Sequence, residues 1–296
     1  MSAPFLTVFT PAYNRAYTLP RTYESMKLQK NTDFIWLIVD DGSSDNTAEL
    51  VRQWQAEDNG FEIRYVYKEN GGMHTAHNTA YSMIDTELNV CIDSDDALAP
   101  DAVQLIADAW EKVGDKGYAG LLGLDAEFNG NVIGLGFPAG LAETTLSGYY
   151  QQGGRGDKKL VLRTDVVRQY PPYPTFEGER FVPLGSLYTM IDKDYKLGVI
   201  DSVLCLVEYM PDGSTQNMIR QYYRNPNGFR YGRLVTLSSP QPIKKKITTY
   251  IHYTAESILA SKSILEDAPS KALALLTVPL GIVLAIYIKL KCKLHN

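Results

Sequence analysis

The chain has 296 residues, of which 45% are hydrophobic and 21% charged; it can bury a sizeable core and is neither disordered nor built of many membrane spans. Its formal net charge is −5, with basic residues spread among acidic ones, so it offers no broad cationic surface and we expect no nucleic-acid partner. The three cysteines, Cys91, Cys205 and Cys292, have no CxxC spacing, which indicates neither a zinc site nor a disulfide framework and favours a reducing compartment.

The first hundred residues alternate between strand-like and helical patterns. Short apolar runs, and one run of alternating polarity at Phe61–Tyr67, predict strands, and turn residues or helical patterns follow them. The predicted strands are Phe5–Thr10, Phe34–Asp40, Phe61–Tyr67 and Leu88–Ile92, and the predicted helices include one opening with a capping box at Asn46–Glu49 and one over Gly72–Ile84. This order predicts an α/β fold with a mainly parallel, Rossmann-like sheet and helices on both faces, in which ligands bind at the carboxyl ends of the strands.

The alternation ends at about Ala119. An Asn129-Gly130 turn predicts a hairpin, and Gly134–Thr175, rich in glycine, tyrosine and proline, is interpreted as part of a substrate-binding half. Helical and strand patterns resume over Phe181–Met210. The N-terminus enters a strand at once, without the basic and apolar regions of a secretory signal, so we expect the protein to stay inside the cell.

Two carboxylates follow the fourth predicted strand. Asp93-Ser94-Asp95 come directly after the apolar run Val90–Ile92, so both carboxylates can converge on one cation. Hard oxygen ligands of this kind suit Mg²⁺ or Mn²⁺ shared with a diphosphate. An Asp-x-Asp sequence taken alone is more often a solvated turn, here one that caps the helix after Pro100.

Two further groups of residues follow the first and second strands. A carboxylate of Asp40-Asp41 can accept a hydrogen bond from a pyrimidine imide, and Gly42 lets the backbone approach a ligand; a helix N-cap is the alternative. The turn Thr10-Pro11-Ala12-Tyr13-Asn14-Arg15 offers backbone groups, an aromatic ring that can pack on a base, and a cation for phosphates. Each of these features is common on its own.

Together, in this order, these segments resemble the family 2 glycosyltransferases with the GT-A fold. The matching segments are Thr7–Arg15, Ile38–Thr47, Asn70–Gly72 with Ala76–Asn78, and Asp93–Asp96. The resemblance is specific over about the first hundred residues and looser to about Gly228. It implies a nucleotide-sugar-binding half at 1–118 and an acceptor-binding half at 119–240. The residues that follow, 241–296, are predicted from their own pattern to form a C-terminal membrane-associated helical segment.

The resemblance also implies roles for individual residues. It places Pro11, Ala12, Tyr13 and Asp41 around the nucleotide base, Asn70 and Asn78 near ribose or diphosphate, Asp93 at the ribose and sugar, and Asp95 at the metal. Thr10, Arg15, Asp40, Gly71, His77 and Ser94 complete the predicted donor site. The family often has Ala-Arg-Asn where this chain has Ala76-His77-Asn78, and a mostly neutral imidazole supplies no fixed charge. His77 therefore either contacts the ligand or packs inside.

An inverting transferase also needs a base that deprotonates the acceptor hydroxyl. The segment Phe176-Glu177-Gly178-Glu179-Arg180-Phe181 resembles a variant of the family's acidic motif, which makes Glu179 the expected base and Glu177 the second candidate. Acids in the first turn of a helix are the alternative. Further along, Arg220, Arg224, Arg230 and Arg233, interleaved with Tyr222, Tyr223 and Tyr231, are candidates to hold an acceptor, and a solvated basic face explains them equally well.

The last fifty residues carry apolar patterns. Ile243–Leu265 begins near three lysines and predicts an interfacial helix, whereas Ala272–Ile288 is almost wholly apolar between lysines. Pro279 and Gly281 interrupt the second run, which is at the short limit for crossing a bilayer. We therefore expect a helix lying in the membrane interface or a re-entrant hairpin, with a core helix as the alternative.

The resulting hypothesis is an inverting glycosyltransferase at the cytoplasmic face of the cell membrane, dependent on Mn²⁺ or Mg²⁺. Its expected donor is a UDP-sugar, and its expected acceptor is a hydroxyl of a growing, lipid-linked surface glycan. A nucleotidyltransferase is the first alternative, but the glycine-rich phosphate loop and lysine expected after the first strand are missing. A non-catalytic, membrane-bound nucleotide-binding scaffold is the second. A homo-oligomer is compatible with each hypothesis.

Overall fold

The structure is a computed structural model that describes residues 4–208 and 218–293. By its contacts the chain divides into two compact units. The first, called the sheet unit, comprises Met1–Pro171 and Asp194–Tyr209; the second, called the helical unit, comprises Pro172–Lys193 and Met210–Asn296. These boundaries differ from the division at residues 118 and 240, which was drawn by expected function and stays a prediction.

The sheet unit is an α/β fold. Its strands are β1 Leu6–Ala12, β2 Phe34–Asp40, β3 Glu62–Tyr67, β4 Leu88–Cys91, β5 Ala97–Leu98, β6 Gly120–Glu127, β7 Glu143–Thr144, β8 Lys158–Arg163 and β9 Leu197–Val207. Its helices are α1 Leu19–Lys27, α2 Thr47–Gln55, α3 Met73–Met83, α4 Ala102–Val113, α5 Leu146–Gln151 and α6 Thr164–Val167, with a 3₁₀ turn at Gly114–Lys116. The four strands and the helices predicted from the first hundred residues are confirmed, with small shifts of their ends.

One sheet contains all the strands of the described residues, in the order β3-β2-β1-β4-β8-β6-β9-β5, with β7 also paired to β9. The strands β3, β2, β1 and β4 are parallel, as predicted. Beyond them, β8 is antiparallel to both β4 and β6, whereas β6 and β9 are parallel. The sheet is therefore mixed, and its predicted parallel character holds for the first half only.

Helices cover both faces of this sheet, as the sequence predicted. On one face, Val8, Trp36 and Val90 belong to a buried cluster with side chains of α1, α2 and α4. On the other, Phe9 and Leu37 pack with side chains of α3. Successive residues of a strand point to opposite faces, so strands that are apolar at every position can fill two cores.

The expected capping box of α2 is wrong. Asn46 occupies the N-cap position, but its side chain makes no capping hydrogen bond. Instead, Asp45 Oδ1 accepts hydrogen bonds from the backbone nitrogen of Thr47 at 3.1 Å and from its hydroxyl at 2.6 Å. An aspartate readily bonds the backbone two residues further on, and this local turn takes the place of the cap.

The helical unit consists of α7 Gly185–Ile191, α8 Met218–Arg224, α9 Pro226–Leu237, α10 Ile243–Leu259, α11 Lys271–Leu276 and α12 Val278–Lys293. Its apolar cluster joins Leu237, Tyr250, Tyr253 and Ala274, and both tyrosines are fully buried. The helix α10 is thus an internal helix of this unit. The packing of the helical unit therefore extends across residue 240, where the predicted C-terminal segment was expected to begin.

The apolar run predicted at Ala272–Ile288 is divided between two helices, α11 and α12. Pro279 lies in the first turn of α12, where a missing N–H is tolerated. Gly281 packs so closely on α10 that a Cβ atom would lie 2.4 Å from Thr254 Cγ2. Both residues therefore fit the helix that they were expected to interrupt. Among the described residues, no helix is both long and apolar enough to cross a membrane.

Candidate active site

The three groups of polar residues predicted to act together lie at one edge of the sheet unit. The parallel register pairs Ala12 of β1 with Asp40 of β2, and Phe9 of β1 with Cys91 of β4. Asp93 follows two residues after Cys91. Parallel strands that lie side by side end at the same edge, so the turns after β1, β2 and β4 are neighbours.

The turn after β1 is fastened to the turn after β2. Asn14 adopts a positive φ of 52°, its side-chain oxygen accepts a hydrogen bond from Ser44 N at 2.8 Å, and its backbone nitrogen donates to Ser43 Oγ at 2.8 Å. Tyr13, at the tip of this turn, is 47% exposed. A fixed turn with an exposed ring is suited to packing against a flat ligand group.

The predicted residues of β1 in this turn do not offer their side chains at the edge. The buried hydroxyl of Thr10 accepts a hydrogen bond from Trp36 Nε1 at 2.9 Å, and Pro11 and Ala12 are also buried. Arg15 donates from Nη1 to the hydroxyl of Tyr17 at 2.8 Å. The residues of β1 therefore contribute mainly through the shape of the backbone.

The two acids at the end of β2 have different surroundings. Asp40 is fully buried, and its two oxygens accept hydrogen bonds from Ser43 N at 2.7 Å and from the Tyr65 hydroxyl at 2.6 Å. Burial and this contact with Asp40 raise the pKa of Tyr65, which keeps its hydroxyl a donor. Asp40 thus holds the turn and the neighbouring strand together, and it does not cap α2, which begins at Thr47.

Asp41 follows β2, and its carboxylate binds the loop that joins β3 to α3. Its Oδ1 accepts from Lys68 Nζ and from Gly71 N at 3.0 Å, and its Oδ2 accepts from Gly72 N at 2.7 Å and from Asn70 Nδ2 at 3.3 Å. A carboxylate has about four lone-pair positions, and all four are engaged here. A ligand donor can reach Asp41 only by replacing one of these partners.

Gly42 was expected to let the backbone approach a ligand. Its φ is 84°, and a Cβ atom at this position would lie 2.7 Å from the backbone nitrogen of Asn70. The close approach is therefore between two loops of the protein. Only glycine meets both requirements, because other residues rarely adopt this φ and would collide with Asn70.

His77 packs inside the sheet unit. It is 1% exposed, its ring meets Phe9 edge to face at 5.0 Å between centroids, and its Nε2 lies 3.7 Å from Cys91 Sγ. Burial and the nearby His74 lower the pKa of His77 to about 3, so the ring is neutral. Its neighbour on α3, Asn78, is half-buried. Of the two expectations for His77, the structure matches packing.

His74 was missed by the sequence analysis. It lies in the first turn of α3, is 2% exposed, and its Nδ1 has no hydrogen-bond partner. Burial lowers its pKa, whereas the nearby Asp41 opposes this change. A histidine two residues after Gly72, in the first turn of a helix, was the signal that could have drawn attention to it.

The Asp93–Asp96 loop is held from both sides. The carbonyl of Asp96 accepts a hydrogen bond from Thr22 Oγ1 at 2.7 Å, and that of Asp95 accepts from Arg21 Nη2. Ser94 is buried, and Asp96 Oδ1 accepts from the backbone nitrogen of Glu208 at 3.4 Å. Burial and the charge of Asp93 raise the pKa of Asp96 to about 8. None of these contacts uses the side-chain carboxylate of Asp95.

The chemistry of Asp93 and Asp95 fits a divalent cation. Both side chains are half-buried, and burial followed by the charge of Asp93 raises the pKa of Asp95 against the opposing effect of Arg15 and Arg21. A bound cation would relieve this repulsion. Across residues 4–208 and 218–293, no three or more His, Cys, Asp or Glu side chains are grouped to hold a metal ion. The carboxylates of Asp93 and Asp95 would therefore supply part of the coordination of a metal ion, and oxygen atoms of a bound ligand would supply the rest.

A buried ion pair beneath this loop was also missed. Lys159 Nζ lies 3.8 Å from Asp125 Oδ1 and donates to the carbonyl oxygen of Cys91, the last residue of β4, at 3.3 Å. The side chains are only 13% and 4% exposed. Burial opposes the charge of Lys159, but Asp125 and neighbouring acids raise its pKa, so the ammonium persists. A lone aspartate in the apolar run Leu121–Ala126 was the available signal.

We expect Lys159→Met to lower the free energy of unfolding by about 3 kcal/mol, because it leaves the carboxylate of Asp125 buried without a cation. Chemical denaturation would measure this loss. The double variant Lys159→Met/Asp125→Leu removes both charges and should recover most of it. Equal losses in the single and double variants would show that the pair makes no such contribution.

In the helical unit, Glu179 caps a helix. Its Oε1 accepts from Asn227 N at 2.9 Å and from Asn227 Nδ2 at 2.7 Å, and its Oε2 accepts from Gly228 N at 2.9 Å, all at the N-terminus of α9. Glu177, two residues earlier, is exposed. The alternative expected for Glu179, an acid at a helix terminus, is therefore seen, although the helix is α9 and not the one that follows in sequence.

Two of the four arginines considered for an acceptor are engaged within the helical unit. Arg230 is 9% exposed and donates to Asp267 Oδ2 at 2.6 Å and to Ser257 Oγ at 3.1 Å. Arg233 lies 3.2 Å from Oε1 of the buried Glu256. Arg220 and Arg224 of α8 remain the acceptor candidates from this set.

The sequence comparisons cover the first part of the chain. Residues 7–124 match the family model described as Glycosyl transferase family 2. Chondroitin synthase from Escherichia coli is 36% identical over 109 residues, which are 37% of this chain and 16% of that protein. The aligned regions span between 10% and 40% of the length of the curated relatives.

Solved structures resemble nearly the whole chain. S. aureus TarS 1-349 in complex with UDP-GlcNAc has a TM-score of 0.60 at 15% identity, covering 95% of this chain and 81% of that one. The mannosyltransferase PcManGT from Pyrobaculum calidifontis, in complex with GDP-Man and Mn²⁺, has a TM-score of 0.58 at 17% identity, covering 97% and 81%. At these identities the likeness establishes the fold, and the predicted GT-A architecture is confirmed.

Proposed function

Residues 7–124 are a family 2 glycosyltransferase domain, and from this premise we propose that the protein is an inverting glycosyltransferase using a nucleotide-sugar donor. The observation that carries the proposal is the position of the Asp93-Ser94-Asp95 loop, at the same sheet edge as Asp41 and the exposed Tyr13. This edge brings an aromatic ring, a hydrogen-bond acceptor and paired carboxylates together, which are the groups needed for a base, a ribose and a diphosphate.

The proposed donor is a UDP-sugar. The uracil ring would pack on Tyr13, and its imide N–H would donate to Asp41 in place of Lys68 or Asn70. Lys68 and Asn70 hold Asp41 through flexible side chains, whereas Gly71 and Gly72 hold it through the backbone. Exchange of one side-chain donor for the base is thus the least costly way to open the site.

Asp95, assisted by Asp93, is the proposed ligand of Mn²⁺ or Mg²⁺. When bound, the cation would offset the negative charge that grows on the departing nucleoside diphosphate. The contribution of the chain is to hold the loop in place: Arg21 binds the carbonyl oxygen of Asp95 and Thr22 that of Asp96, so neither contact uses the Asp95 carboxylate. Within the described residues, Asp93 Oδ1 accepts only a long contact from Cys91 Sγ at 3.7 Å.

For the base we propose Glu179, with Glu177 as the second candidate. Inversion requires one carboxylate that takes the proton of the acceptor hydroxyl as its oxygen attacks the anomeric carbon. Three hydrogen bonds fix the Glu179 carboxylate and leave one of its four lone-pair positions for that proton. Glu177, by contrast, is exposed, so replacing each of the two acids in turn separates the candidates.

The proposed acceptor is a hydroxyl of a growing, lipid-linked cell-surface glycan. In support, the relatives include chondroitin synthases and a protein named for teichuronic acid biosynthesis, and another is an undecaprenyl-phosphate sugar transferase by name. Each of these aligns over only part of its length, so the acceptor rests on this likeness and not on a described contact.

Release of nucleoside diphosphate from a panel of nucleotide sugars tests the function. We expect UDP release from one UDP-sugar in the presence of Mn²⁺ or Mg²⁺, and its loss in EDTA. Release of pyrophosphate from a nucleoside triphosphate would indicate the nucleotidyltransferase alternative. Binding of donors without any turnover, with metal and a range of glycan acceptors present, would favour the scaffold alternative.

A further inference from the structure

Helices α11 and α12 have one face inside the helical unit and a second apolar face outside it. Ala274, Gly281, Ala285 and Ile288, spaced three to seven residues apart, are buried. The outer face carries eight large apolar side chains that are between 43% and 71% exposed: Leu275, Leu276, Leu280, Ile282, Val283, Ile286, Tyr287 and Leu290. We call these eight residues the outer apolar face. A contiguous patch of this kind on a soluble protein marks an interaction surface.

Lysines border the outer apolar face. Lys289 and Lys291 directly flank Leu290, and at about 100° per residue they project to opposite sides of it. Lys271 and Lys293 lie near the two ends and are exposed. The sequence contains no aspartate or glutamate after Asp267, although the chain as a whole has a formal net charge of −5. The surface is therefore apolar in its middle and cationic at its edges.

This distribution of charge favours a lipid surface over a second copy of the chain. A twofold pairing of the outer apolar face would place the flanking lysines of one copy near those of the other, with no acid on the face to compensate. Anionic phospholipid headgroups supply the missing negative charge, and lysine side chains can extend to them while their stems cover apolar groups.

The dimensions of α12 suit a position within the membrane surface. Its 16 residues give a length of about 24 Å, shorter than the ~30 Å hydrocarbon core of a bilayer. Its buried face is also occupied by contacts with α10, such as that of Gly281 with Thr254. Lying parallel to the membrane would cover only the outer apolar face and leave those contacts intact.

We propose that the outer apolar face binds the surface of an anionic phospholipid membrane, with α11 and α12 lying in the interface. The large side chains enter the boundary between headgroups and acyl chains, and Lys289 and Lys293 meet the headgroup phosphates. This inference goes beyond the transferase reaction and does not depend on it.

Flotation of the full chain with vesicles tests the proposal. We expect it to float with vesicles of phosphatidylcholine mixed with phosphatidylglycerol, more weakly with phosphatidylcholine alone, and more weakly at high salt. Leu276→Glu/Val283→Glu should abolish flotation because it places two charges among the acyl chains. Lys289→Gln/Lys293→Gln should weaken binding to anionic vesicles by about 30-fold.

Leu28→Glu is the matched control. Leu28 is 72% exposed, as Leu276 is 71% exposed, but it lies at the end of α1 in the sheet unit. This variant should float like the unchanged chain, and unchanged thermal unfolding of all variants would confirm their folding. Absence of flotation, or equal flotation of the Glu variants, would overturn the proposal. The proposal would also be overturned if the unchanged chain did not bind vesicles and formed a dimer in solution that Leu276→Glu/Val283→Glu dissociates.

Discussion

Asp95→Ala should abolish sugar transfer while leaving the fold intact. The carboxylate is the proposed metal ligand, and loss of several kcal/mol of charge stabilisation corresponds to a rate at least about 10³-fold lower. The fold should survive because Arg21 binds the carbonyl oxygen of Asp95 and Thr22 that of Asp96, and neither contact uses the deleted group. Turnover with saturating donor and Mn²⁺, together with the thermal unfolding midpoint, measures both parts.

Asp58→Ala provides the comparison for this variant, since Asp58 is an exposed aspartate in the turn before β3. It should keep full activity and the same response to metal. If Asp95→Ala also kept full activity, or if the unchanged enzyme worked undiminished in EDTA, the metal role of Asp95 would have to be abandoned.

Glu179→Gln should lower turnover by about 10²–10⁴-fold with donor binding retained, because glutamine keeps the size of the side chain and removes its basicity. The structure adds a second expected effect. In either orientation the amide N–H₂ group would face the donors of Asn227 or the backbone N–H of Gly228, which now bind a carboxylate oxygen, so some stability at the start of α9 should be lost. Turnover, donor titration and thermal unfolding should therefore be measured on the same preparation.

Glu177→Gln separates the two candidates. Glu177 is exposed, and its replacement should leave stability and turnover nearly unchanged if Glu179 is the base. A collapse of turnover in Glu177→Gln, with only a stability change in Glu179→Gln, would move the base by two residues and reduce Glu179 to a helix cap.

The sequence could predict the edge at which the site lies, because that information is local. A buried strand followed by polar turn residues occurs three times, after β1, β2 and β4, and parallel strands bring these turns together. The carboxylates of Asp93 and Asp95 needed only their position after β4 to be recognised as candidates. The same repeated unit predicted an α/β fold with a mainly parallel sheet, whereas the GT-A architecture was implied by the resemblance to family 2 glycosyltransferases.

The surroundings of individual side chains could not be predicted, because they depend on contacts distant in sequence. Asp41 meets Lys68 and Gly72 only because the loop after β3 folds back onto β2. Asp125 and Lys159 are on neighbouring strands whose pairing no local pattern specifies. The pattern of Ile243–Leu265 predicted an interfacial helix and gave no sign that Tyr253 is buried and accepts a hydrogen bond from Arg230.

The segments of the sheet unit and the helical unit alternate along the chain. The chain leaves the sheet unit after Pro171, returns at Asp194 to supply β9, and leaves it again after Tyr209. Because β9 lies between β6 and β5 within the sheet, a single recombination event cannot transfer either unit whole to another protein. Replacing residues 172–296 as one block would remove β9 from between β6 and β5 and so disrupt the sheet.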